Sequence, residues 1–164
     1  MIATHRGLAR LGRIVALAAA AVLGVAVAAE PAIRVQNAWA RATPPGAQNG
    51  AVYLQIANHG GADRLVGVRT SAAHAAELHT SATRDGVVEM RRVDALPIAA
   101  GATVELAPGG THVMLFGLAA RLEAGAHVGL TLTFANAGEI DIDVVIVDAR
   151  GPPATTHEHG HDAP

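Results

Sequence analysis

An all-β domain, a sandwich or barrel of about nine strands, is the fold class that the sequence predicts. From Ile33 onward the chain is a succession of short runs separated by Gly, Pro, Asn and Asp, at the spacing of such folds. The clearest run, IDIDVVIV, sets Ile140, Ile142, Val144 and Ile146 on one face and Asp141 and Asp143 on the other. Past the N-terminal region no window has convincing helical periodicity, and the Ala-rich Ser71 to Ala76 is expected to form at most a turn of helix.

In chain order, residues 1–29 read as a secretory signal. Arg6, Arg10 and Arg13 lead an apolar run from Ile14 to Val27 that ends in small residues, and cleavage is expected near Ala28 or Ala29. Ile14 to Ala29 is shorter than the roughly 20 residues of a spanning helix, so no membrane insertion is expected after cleavage. No Cys lies near the cleavage site, which argues against a lipid anchor. Export is then expected. Residues 30–148 form the β domain, with expected strands at Ile33 to Arg41, Ala51 to Asn58, Arg64 to Thr70, Ala75 to Thr80, Val87 to Val93, Thr103 to Leu106, His112 to Leu118, Val128 to Phe134 and Ile140 to Val147. The Pro- and Gly-rich Ala42 to Gly50 is a connector, and Pro108-Gly109-Gly110 is a turn that leads into His112. Residues 149–164 are a polar, His-rich tail expected to be disordered.

Composition removes several function classes. Cysteine is absent, which excludes disulfides, iron–sulfur clusters, thiolate zinc sites, thiol nucleophiles and the Cys-containing blue-copper centre. Aromatic residues make up 2% and the formal charge is −2, so neither base stacking nor phosphate neutralisation is provided for, and no nucleic-acid partner is expected. Without residues 1–29, nine arginines face fourteen acids, a charge near −5.

The chemistry concentrates between Glu77 and Met114. Of three methionines, one is Met1, and the other two accompany histidines: His79, Met90, His112 and Met114. Two imidazoles and two thioethers form a soft, uncharged ligand set suited to Cu(I) and ill matched to Mg, Ca or a structural zinc. Asp85-Gly86 predicts a two-residue hairpin turn. In that register Arg84 faces Val87, Ser81 faces Met90, Thr80 faces Arg91 and His79 faces Arg92, so His79 and Met90 are diagonal neighbours roughly 7 to 8 Å apart. In HVM the strand period of two puts His112 and Met114 on one face. Each residue alone would ordinarily be a surface histidine or a core methionine; the combination points to a metal site. Trp39 and Tyr53 are expected to pack in the core or at its rim, with screening of the metal from water as the alternative.

The spacing His79, ten residues, Met90, twenty-one residues, His112-x-Met114 resembles the signature of the periplasmic PCu(A)C copper chaperones (DUF461-like), and Ala38 to Gly60, Asp63 to Val68 and Pro108 to Leu118 are similar to that family as well. The resemblance covers roughly Ala32 to Val147. Many members carry a further Met two residues after the first His, where this chain has Ser81. The resemblance implies a cupredoxin-like Greek-key domain, expected here as a monomer, that delivers Cu(I) to the CuA centre of a cytochrome oxidase alongside a Sco-type thioredoxin-like protein.

His59, His74 and His127 lack a methionine partner and are expected at the surface. In the tail, His157, His159 and His161 alternate beside Glu158 and Asp162; this segment is either inert or a loose secondary site for Cu(II) or Zn(II). Two functions share the same ligands, a chaperone and an exported copper buffer or resistance protein without a dedicated client. An enzyme is not expected, because no carboxylate falls at the ligand positions and neither a serine elbow nor a phosphate loop is present.

Overall fold

The structure, a computed structural model, describes residues 31–148. The expected signal at residues 1–29 and the tail with His157, His159 and His161 lie outside the described residues. Ten strands and no helix occupy the described chain: β1 (Ile33–Arg41), β2 (Asn49–Asn58), β3 (Asp63–Arg69), β4 (Ala73–Arg84), β5 (Val87–Arg92), β6 (Leu96–Ile98), β7 (Thr103–Leu106), β8 (Thr111–Leu118), β9 (His127–Phe134) and β10 (Gly138–Val147). They hydrogen-bond in the order β5-β4-β8-β2-β1-β10-β9-β3-β6, with β7 on β2. The β1–β10 ladder is parallel and the other ladders are antiparallel.

Alternation builds the core. On β10 Val144 and Ile146 are buried while Asp141 and Asp143 are exposed, and on β9 Leu130, Leu132 and Phe134 turn inward with them. Val52, Leu54 and Ile56 of β2 and Val113 and Leu115 of β8 complete the same cluster. Each fully buried aliphatic side chain contributes about 1.5–3 kcal/mol by leaving water. β2 is the pivot: its first half pairs with β8 and its second half with β7, on the edge opposite β1.

Two local expectations differ from the structure. Residues from Ala73 continue β4 instead of forming a helical turn, because Ala73, Ala75 and Ala76 pair with Leu118, Phe116 and Leu115 of β8. Ladder hydrogen bonds to a long-range partner outweigh alanine's local helix preference. β6 has no counterpart among the expected strands; Pro97 is tolerated in it because β6 is an edge strand, bonded to β3 alone.

A bulge in β1 decides which way the aromatic residues point. Ile33 and Val35 pair with Asn58 and Ile56, but past Asn37, whose φ is 52°, Trp39 pairs with Tyr53 and Ala40 with Val52. The extra residue reverses the strand's parity, so Ala40 enters the core and Trp39 joins Tyr53 on the opposite face.

Candidate metal centre

Asp85 and Gly86 have φ of 50° and 79°, the left-handed pair of a two-residue hairpin turn. The β4–β5 ladder has the expected register throughout: Arg84 faces Val87, Ser81 faces Met90, Thr80 faces Arg91 and His79 faces Arg92. Met90 is therefore diagonal to His79, on an edge strand whose six residues are all exposed; Met90 itself is 50% exposed.

The β4–β8 ladder supplies the long-range half. It sets His79 directly opposite His112 and Glu77 opposite Met114. His112 and Met114 share the face opposite Val113 and Leu115. All four residues thus lie on one side of three adjacent strands, β5, β4 and β8. The two imidazole centroids are 6.4 Å apart, with ring planes 33° from parallel. Nitrogens bound to one ion at about 2.0 Å leave ring centres roughly 5 to 6.5 Å apart, so the histidines stand at the separation that a shared ion requires.

Hydrogen bonds define which nitrogen each ring presents. His112, 5% exposed, has Nδ1 at 3.0 Å from the carbonyl of Gly110, which can only accept; Nδ1 carries the proton and Nε2 the lone pair. The same carbonyl accepts the amide of Ser81 at 3.1 Å and so ties the 108–110 turn to β4. His79 has Nε2 at 3.1 Å from Glu77 Oε2, while its Nδ1 is buried with no partner. Glu77 Oε1 accepts from Arg92 at 3.1 Å.

An aromatic wall flanks the histidines. Phe116 lies 5.5 Å from His79, Tyr53 6.2 Å from His112, and Trp39 4.5 Å from Tyr53, with the Arg41 guanidinium 5.9 Å from the Trp39 ring centre. Trp39 and Tyr53 accordingly stand beside the histidines, Tyr53 buried and Trp39 half-buried, in keeping with the expected packing in the core or at its rim. Glu77 and Phe116 were not anticipated as neighbours of the site, whereas Arg92 stands across from His79 as the hairpin register predicts. Glu77 is two residues before His79, so the strand period alone puts it on the same face; its partners follow only from the β4–β8 pairing.

Elsewhere, His59, His74 and His127 are exposed, and His127 pairs with Asp143 at 2.6 Å. Among the described residues no group of three or more His, Cys, Asp and Glu is placed to hold an ion; the candidate centre relies on thioethers to complete its donor set.

Comparison with known proteins agrees with this fold. The LpqE-like lipoprotein family model matches residues 33–146. Lxx21020 of Leifsonia xyli subsp. xyli, also named a lipoprotein, is 36% identical over 121 residues, 73% of this chain and 72% of that protein. Among solved structures, the copper-bound PCuAC domain from PmoF2 superposes with a TM-score of 0.62 at 28% identity, covering 74% of this chain and 97% of that domain. The apo PCuAC domain from PmoF1 gives 0.61 at 30%, covering 71% and 94%. CuI-DR1885 from Deinococcus radiodurans gives 0.59 at 29%, covering 77% and 85%. With the family model spanning most of the chain and near-complete domains superposing on its ten strands, the chain belongs to the LpqE-like family, and its β domain has the cupredoxin-like fold of the PCuAC type.

Proposed function

We propose that the protein is an exported copper chaperone that holds one Cu(I) through His79, Met90, His112 and Met114 and passes it on. The carrying observation is the buried, unpartnered Nδ1 of His79 on the residue directly opposite His112. A buried polar atom without a partner is costly unless something absent from the polypeptide satisfies it. The donor chemistry favours a soft ion, and the structural relatives include copper-bound and CuI forms.

Release follows from unequal exposure. His112 is enclosed, whereas Met90 is half exposed on an edge strand. Met90 is therefore the ligand that an incoming thiolate or imidazole displaces first, after which the remaining donors leave in turn. By family resemblance the receiver is the CuA centre of a haem-copper oxidase, reached together with a Sco-type protein, and the lipoprotein names of the relatives support export to the periplasm. A secondary, weaker Cu(II) site at His157, His159 and His161 would collect ions for the core site.

The test is competition titration of Cu(I) with X-ray absorption on the loaded protein. Two nitrogen and two sulfur neighbours are expected, and a site without sulfur overturns the assignment. Deleting the gene should lower oxidase activity under copper limitation; sensitivity confined to copper excess would identify a buffer instead.

A further inference from the structure

We infer that Glu77 is a positioning residue for the copper site: one carboxylate oxygen sets the tautomer of His79 so that Nδ1 faces the ion, and the other anchors the edge strand that carries Met90. The inference deepens the copper assignment and rests on it.

A carboxylate at the ordinary pH of a cell accepts hydrogen bonds and cannot donate them. Glu77 Oε2 lies 3.1 Å from His79 Nε2, so the proton between them belongs to the imidazole. A neutral ring with Nε2–H has its lone pair on Nδ1, the atom that is buried and unpartnered. Left to itself a histidine exchanges between tautomers, and only one presents a donor inward. Glu77 removes the other. The outcome differs from His112, where the Gly110 carbonyl takes the Nδ1 proton and leaves Nε2 for the ion. The two ligating histidines thus bind through different ring nitrogens, and each is oriented by its own acceptor, an anionic side chain in one case and a backbone carbonyl in the other.

Glu77 Oε1 meets Arg92 Nη1 at 3.1 Å. Arg92 is two residues from Met90 and on the same face of β5, directly across from His79. β5 has a neighbour on one side only and no buried residue, so this ion pair adds a side-chain tie between the Met90 end of the hairpin and the histidine pair, beside the backbone ladder to β4 and the Val93 amide bonded to the Leu78 carbonyl at 2.8 Å. One side chain therefore serves two of the four ligands. Glu77 also faces Met114 across the β4–β8 ladder.

The test combines apo-state NMR with Cu(I) competition titration on wild type, Glu77→Gln, Glu77→Ala and His112→Ala. Long-range proton–nitrogen correlation of the metal-free wild type should show His79 protonated at Nε2 and His112 at Nδ1. Glu77→Ala should let His79 sample both tautomers and weaken Cu(I) binding about 10- to 100-fold, the usual effect of losing such a support. Glu77→Gln keeps the size of the side chain but has one acceptor oxygen for two donors; with that oxygen toward Arg92 its NH2 faces His79 Nε2, so His79 should shift toward the Nδ1-protonated tautomer and Cu(I) binding should weaken as in Glu77→Ala, which separates orientation from general damage to the fold. A His79 protonated at Nδ1 in the apo protein, or wild-type affinity in Glu77→Ala while His112→Ala loses binding, would overturn the role of Glu77 alone. Absence of Cu(I) binding by the wild type would overturn the copper assignment and this role together.

Discussion

Four residues carry the proposed chemistry, and their exposures rank their roles. His112 is enclosed, the His79 side chain is 13% exposed and Met90 is 50% exposed, so the imidazoles form the fixed part of the site and the outer thioether the labile part. Met90→Ala with Met114→Ala should lower Cu(I) affinity by at least 100-fold while leaving far-UV circular dichroism unchanged; Met90→Ala alone should mainly speed transfer to a receiving chelator, read by stopped-flow. Away from the site, Asp63 illustrates how a buried carboxylate is held. Desolvation pushes its pKa up, but the backbone amides of Arg64, Ala137, Asn136 and Ala135 outweigh that and lower it. A depressed folded pKa means that the stabilisation is complete above about pH 4 and is lost as pH falls through the folded value. Thermal melts of wild type should therefore lose stability in acid more steeply than those of Asp63→Asn.

The β4–β5 hairpin shows how far local sequence reaches. Asp85-Gly86 dictates a left-handed two-residue turn, the turn dictates the register, and the register places Met90 diagonal to His79. One residue inserted between Asp85 and Gly86 should shift every pair by one, turn Met90 to the far face and weaken Cu(I) binding while leaving the fold intact; unchanged affinity would remove Met90 from the site. The same local logic failed at β6, an edge strand with Pro97 within it, and at the start of β4, where the alanines of Ala73 to Ala76 follow their partner β8. At the other end of the barrel Asn58 closes β2: its amide donates to the carbonyls of Gly61 and Ala99 at 2.8 and 3.1 Å, and its oxygen accepts from Gly60 at 2.9 Å. Asn58 is itself buried, and Asn58→Ala removes these hydrogen bonds and should cost about 1–3 kcal/mol in urea unfolding.

For the molecule as a whole, cargo and fold are coupled. Cu(I) bound only by the folded domain, at a hundredfold excess over Kd, should add about 2.7 kcal/mol of stability, visible as a rise in Tm that the double methionine variant lacks. Deleting residues 152–164 should remove weak Cu(II) uptake and spare that rise, and superimposable Cu(II) titrations would make the tail inert. By itself the sequence determined the all-β class, the hairpin register, and the pairing of His79 with Met90 and of His112 with Met114, because strand period and turn chemistry are properties of neighbouring residues. Only the tertiary structure decided that β4 lies against β8, that His79 therefore faces His112 and Glu77 faces Met114, and that a bulge at Asn37 turns Trp39 out of the core toward Tyr53. Pairing between strands more than thirty residues apart leaves no periodic trace in one sequence, and a single inserted residue inverts the parity on which any reading of strand faces depends.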